Sequence, residues 1–179
     1  MKITPVMQKF ILHWGEMGAR WGVNRTVAQM HALLFLSPEP LPAETIADAL
    51  GVARSNVSTS IKELQSWGLI KIVHVMGDRR DHFESLKDMW EMALVIMEQR
   101  KRRELDPTLT MLRQAVLDAD TDRQTPKEIK QQIANALEFM ETFTGWYEQM
   151  RGVQRPALLK LMRLGAKVTK FLGKETAEK

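Results

Sequence analysis

Apolar positions recur along most of this chain at the spacing of an α-helix. Met7, Phe10, Trp14, Met17 and Trp21 follow one another at intervals of three and four residues, which lays a single apolar stripe down one helix face. Thr4 before Pro5 predicts where that helix starts, with threonine as N-cap and proline at the first helical position. The stripe carries it to about Arg20, and Gly22 interrupts it. Asn24 predicts the cap of a second helix that ends near Leu36, ahead of the break Ser37-Pro38-Glu39-Pro40.

From about Pro42 to Trp67 the pattern shortens into two helices joined by a turn. Small Ala47 lets them approach, Gly51 supplies the positive φ that the turn needs, and Val57 packs back into their joint core. Ile46, Leu50, Val52, Ile61 and Leu64 complete that core, and Gly68 stands where a glycine terminates a helix. Leu69 to Met76 is rich in β-branched residues and predicts a strand, Gly77-Asp78 a turn, and Asp81 to Ser85 the returning strand. A helix, a glycine turn, a second helix and a hairpin make a winged helix-turn-helix.

The helical period resumes from Leu86 to Leu105, where Asp106-Pro107 predicts a break or kink, and again from Thr108 to Leu117. Asp118 to Thr125 reads as a polar loop. Thr125-Pro126-Lys127-Glu128 then predicts a capping box with proline at the first helical position. The helix it opens carries Ile129, Ile133, Ala136, Met140, Phe143, Tyr147 and Met150 in a heptad-like seam, and Gly152 closes it. A last helix is predicted from about Pro156 to Leu172. The expected fold class is mainly α with a small β-wing, organised as a winged helix-turn-helix domain over 1–105 and a helical dimerisation region over 106–179. The seams at 7–21 and 129–150 exceed what one small winged helix buries, so a homodimer is expected.

Composition narrows the classes. The chain has 179 residues, 44% apolar and 27% charged, in the ordinary range of a globular protein. With no cysteine, disulfides and thiolate metal sites are excluded. No run of apolar residues is long enough for a membrane span, and Met1-Lys2-Ile3-Thr4-Pro5 lacks a signal-peptide core. A cytoplasmic protein without membrane association is expected. The net charge of +4 is unevenly spread. Residues 1–85 hold nine Lys/Arg and eight Asp/Glu, residues 86–150 nine and twelve, and residues 151–179 eight and two. Phosphate attraction by the winged helix must therefore come from local placement of basic groups.

That placement is present. The second helix of the motif offers Arg54, Ser55, Asn56, Ser58, Thr59 and Lys62, short hydrogen-bonding side chains with a basic group near each end. Such residues reach base edges and phosphates in the major groove. Ala53 stands where serine or threonine is the better N-cap, which leaves the first amides of that helix to other acceptors, Ser55 or DNA phosphates. Arg79 and Arg80 sit at the hairpin tip, suited to a minor groove or to phosphates, with Asp78 and Asp81 beside them to blunt the field. Double-stranded DNA is the expected partner. The rival reading is a winged-helix protein-interaction or architectural module without an effector.

At these residues the chain resembles the MarR superfamily, and within it the GbsR-type branch. The resemblance is carried by Trp14-Gly15-Glu16-Met17-Gly18 and Trp21-Gly22-Val23-Asn24-Arg25-Thr26-Val27-Ala28. It continues in Gly51 to Ser58, Leu64 to Ile70, the wing Gly77 to Glu84, and Asp88-Met89-Trp90. It implies a homodimeric transcriptional repressor from bacteria or archaea, with N- and C-terminal helices forming the dimer, and some relatives respond to choline or related osmolytes. A dimer places two recognition helices about one DNA turn apart, so the expected operator is a pseudo-palindrome.

Five tryptophans and twelve methionines are many for this length. Aromatic faces bind quaternary ammonium groups and methionine lines adaptable pockets. Trp14, Trp21, Trp90 and Trp146 are therefore candidates to frame an effector pocket, although such residues more often form core. Histidines 13, 31, 74 and 82 lack ligand spacing, and His74 and His82 are expected as an exposed pair across the wing, not as a metal site. No cofactor motif and no Ser-His-Asp arrangement is present, so no enzyme is expected. Lys160, Arg163, Lys167, Lys170 and Lys174 form a basic stripe opposite Leu158, Leu161, Val168 and Leu172, with a solvated outer face as its default role.

Overall fold

The computed structural model describes residues 3–164. Elements follow in the order α1 (Pro5–Arg20), α2 (Arg25–Leu36), β1 (Leu41–Pro42), α3 (Ala43–Leu50), α4 (Arg54–Ser66), β2 (Ile70–Val73) and β3 (His82–Ser85), then α5 (Met89–Arg100). A π-helical turn (Lys101–Leu105), α6 (Asp106–Thr121), α7 (Lys127–Arg151) and α8 (Arg155–Leu164) complete the described chain. The fold is mainly α with a small antiparallel sheet. The chain divides into two compact units, Met1–Arg100 and Lys101–Lys179. No helix among the described residues is long and apolar enough to cross a membrane.

In the first unit, α1 and α2 form an antiparallel pair. Phe10 faces Phe35 at 6.3 Å between ring centroids and Trp14 faces His31 at 6.3 Å, while a Cβ on Gly18 would meet that of Ala28 at 2.5 Å. The Thr4 hydroxyl accepts from the Met7 amide at 3.3 Å and the Asn24 carboxamide from Thr26 at 2.8 Å, so both predicted caps form. The apolar stripe differs from expectation in one respect. Its members Met7, Phe10, Trp14 and Met17 are only half-buried, Trp21 is exposed, and the deepest positions of α1 are Ile11 and Gly15. The helices touch along small residues and the large side chains flank that contact. A periodicity that counts only bulky apolar groups misplaces its centre.

The winged helix-turn-helix is assembled as its spacing predicts. Ile46, Val57 and Leu64 are fully enclosed, with Ile61 and Ala47 close behind, and Leu50 and Val52 pack against them half-buried. Gly51 adopts φ 64° and Gly68 φ 75°, the left-handed conformations required at the motif turn and after α4. The core continues through Leu33, Leu34, Leu41, Leu69, Phe83 and Met92. β3 lies between β1 and β2, pairing Leu41 with Phe83 and Ile72 with Phe83 on its two sides. Strand β1 follows directly on the break Ser37-Pro38-Glu39-Pro40 and has no counterpart among the expected strands, because a two-residue pairing with β3 is revealed only by the tertiary fold.

The second unit contains an antiparallel α6–α7 pair that buries Leu109, Thr144 and Tyr147 and is bridged by Arg113 and Glu141 at 2.9 Å. Pro107 enters at the second position of α6, and the preceding turn is π-helical, so the predicted break takes the form of a widened turn. The missing N–H and the ring's crowding of the carbonyl four residues earlier account for it. Helix α6 runs to Thr121, beyond the expected Leu117, and shortens the polar loop. The predicted capping box does not form. Pro126 is the N-cap of α7 without a side-chain cap bond, because the Thr125 hydroxyl donates to the Asp122 carboxylate instead. Gly152 follows α7 as expected. The predicted course of the last helix to Leu172, and Lys167, Lys170 and Lys174 of the basic stripe, lie outside the described residues.

Candidate nucleic-acid interface

Helix α4 turns one polar arc outward. At about 3.6 residues per turn, Arg54, Ser55, Ser58, Thr59 and Lys62 fall on one contiguous exposed arc, opposite buried Val57, Ser60, Ile61 and Leu64. Asn56 is also exposed and lies at the edge of that arc. Thr59 donates its hydroxyl proton to the Ser55 carbonyl at 3.1 Å, which fixes its rotamer and leaves oxygen lone pairs outward. Ala53 is the N-cap and provides no side-chain bond, so the first amides of α4 are uncapped as expected.

The wing separates its arginines. Arg80 folds back onto Asp78, with Nε 2.9 Å from Oδ1 and Nη2 2.5 Å from Oδ2, and Asp78 also accepts from the Arg80 amide at 3.0 Å. These bonds hold the Asp78 carboxyl well below the usual carboxylate range and raise the Arg80 guanidinium. Arg79 is exposed and has no ion-pair partner among the described residues. The flanking acids therefore do not blunt both arginines equally, since Asp78 engages Arg80 alone. Gly77 makes the turn at φ 83°. His82 is buried, contrary to the expected exposed pair with His74: its Nδ1 donates to the Arg80 carbonyl at 2.9 Å and its Nε2 lies 3.4 Å from Asp78. It braces the wing tip, and no group of metal-ligating side chains is assembled among the described residues.

A residue the sequence reading missed joins these parts. Glu44, in the first turn of α3, places one carboxylate oxygen 3.2 Å from Arg54 and the other 3.9 Å from Arg80. It also lines an open groove of about 410 Å³ between α3, α4 and the wing, with Lys62, Gln65, Arg80 and Asp81 on its rim and Ile61, Ile72 and Phe83 on its floor. No sequence signal pairs Glu44 with arginines ten and thirty-six positions away. Only the packing of α3 against α4 and the wing does so.

The residue order and spacing of this motif match a family model. Residues 21–81 fit the MarR family. Over these residues the chain is similar to the MarR family. It is 21% identical over 155 residues to the HTH-type transcriptional repressor GbsR of Bacillus subtilis strain 168, covering 82% of this chain and 85% of that protein. A solved structure of a transcriptional regulator aligns with 81% of this chain and 99% of its own, at TM-score 0.54 and 21% identity, and shares the fold.

The tryptophans of the chain divide between its two units. Trp14 stacks on Phe10 at 5.4 Å and borders the core. Trp21 is 56% exposed with the Arg100 guanidinium 5.7 Å from its ring centroid, and Arg100 also donates to the Trp21 carbonyl at 2.6 Å. Trp90 is half-buried at the start of α5, where Asp88 accepts from its amide at 2.7 Å. Trp146 belongs to the second unit, 53% exposed and 6.2 Å from Phe143.

Proposed function

We propose that the protein is a cytoplasmic, homodimeric transcriptional repressor that binds a pseudo-palindromic operator, with α4 in the major groove and the wing on the flanking backbone. The observation that carries this reading is the shared position of Arg54 and Arg80. A single carboxylate reaches both, so the start of α4 and the wing present their guanidinium groups along one edge. Arg54, Lys62, Arg79 and Arg80 are the phosphate contacts in this reading, and Ser55, Asn56, Ser58 and Thr59 the base contacts. The domain roles follow the sequence expectation: the winged helix of residues 1–105 reads DNA and residues 106–179 dimerise.

Support for the dimer comes from α7. Phe139, Phe143 and Trp146 form an exposed aromatic ladder, with centroids 6.4 and 6.2 Å apart, beside buried Thr144 and Tyr147. An isologous contact between two such ladders removes this surface from water. Selection of bound duplexes from a random pool tests the reading: inverted half-sites about one turn apart support it, and a single unrepeated site contradicts it. Asn56→Ala relaxes the selected sequence; an equal loss on every sequence argues against base readout by Asn56.

The effector in this reading is a small quaternary ammonium osmolyte held at the exposed face of Trp21 in the first unit. Trp21 already receives a guanidinium over its ring, the attraction such a ligand uses. Calorimetric titration with choline and glycine betaine tests it, and the absence of heat with both removes that ligand class.

A further inference from the structure

We propose that Glu44 is an internal competitor for DNA phosphate, a carboxylate that occupies Arg54 of the recognition helix in the free protein and must be displaced when the arginine binds DNA. The inference rests on the DNA-binding reading above and adds a residue that subtracts from it. The Glu44 side chain is fixed at the start of α3 and half-exposed, and its Oε1 lies 3.2 Å from Arg54 Nη2, the geometry of a guanidinium–phosphate contact. Arg54 has no other ion-pair partner among the described residues, whereas Arg80 keeps its bidentate bonds to Asp78. The 3.9 Å contact of Glu44 with Arg80 is accordingly the weaker arm, and Arg54 is the group whose charge Glu44 withholds.

The direction of the effect follows from the surroundings. Arg54 is 73% exposed on its side chain, so the pair is screened and worth little to stability. Next to a DNA backbone the same carboxylate faces phosphates at short range, and its repulsion is added to the loss of one cation. Lys62, Asp81 and Arg80 share the groove, leaving Lys62 as the nearby cation that Glu44 does not engage. Glu44 therefore lowers affinity for every duplex alike, whatever its sequence, and flattens the salt dependence.

Fluorescence anisotropy on a random-sequence duplex across a salt series tests this with wild type, Glu44→Gln and Asp48→Asn. Asp48 is an exposed acid on the same helix without an ion pair among the described residues, and its variant controls for a bare change of net charge. Glu44→Gln is expected to bind about three- to tenfold more tightly at low salt and to steepen the slope of log K against log salt by about one unit. Asp48→Asn leaves the slope in place. In an Arg54→Ala background the Glu44→Gln gain disappears, because its target is gone. Weaker binding by Glu44→Gln, or an unchanged slope, overturns the competitor role while the wild-type curve still stands as DNA binding. A wild type that binds no duplex at any salt overturns the DNA reading itself.

Discussion

His31 lies inside α2 with its ring beside Trp14 and its Nε2 without a hydrogen-bond partner. Burial, reinforced by the Lys87 ammonium, lowers its pKa from 6.5 to about 4. The unfolded chain therefore takes up a proton that the folded chain refuses between those two values. Stability is complete above pH 6.5 and declines as pH falls toward 4, by on the order of 3 kcal/mol for a shift of this size. Urea titrations across that window check it: His31→Leu flattens the pH dependence, and a variant curve parallel to wild type contradicts the assignment. Gly18 offers a second test at this scale. A methyl group there would meet the Ala28 Cβ at 2.5 Å, so Gly18→Ala costs about 1–3 kcal/mol through separation of α1 from α2, read as a lowered thermal midpoint.

Among the elements, α2 depends on a residue far along the chain. Its carbonyl end receives Lys87, whose Nζ lies 2.6 Å from Leu34 O, 3.1 Å from Phe35 O and 2.5 Å from Ser37 O. Lys87→Met keeps the aliphatic stem and removes these donors, with an expected loss of about 1–3 kcal/mol in chemical denaturation. Local signals were legible wherever a residue acts within a turn of its neighbours: Thr4, Asn24, Gly51 and Gly68 do what their types predict. Legibility failed where a competing partner arrives through space. Thr125 is taken by Asp122 and caps nothing, Glu44 joins Arg54 and Arg80, and the two adjacent rows of the α7 seam are unequally buried. Tyr147, Met140 and Ile133 turn inward in that seam, while Ile129, Ala136 and Phe143 remain exposed. The wing shows the same division, because Arg79 and Arg80 are equivalent in sequence and only Arg80 is tied to an acid. Arg79→Ala should lower the DNA salt slope by about one unit, and an unchanged slope would remove Arg79 from the interface.

At the scale of the whole molecule, the proposed operator binding requires two copies. Phe139 and Phe143, 68% and 42% exposed, leave an aromatic surface that one chain does not cover. Phe143→Glu places a charge on it and should convert the proposed dimer to a monomer in sedimentation velocity, with helicity retained; a variant that stays dimeric moves the interface elsewhere. The charge ledger also acts at this scale, since the near-balance of residues 1–85 makes non-specific DNA affinity depend on a handful of cations. The most direct test of DNA binding by a dimer is the stoichiometry and salt dependence of wild-type binding to duplex DNA in one titration. The prediction is two protomers per duplex and an affinity that falls steeply and linearly on logarithmic axes as salt rises. Absence of binding at low salt, or one protomer per duplex throughout, would contradict it.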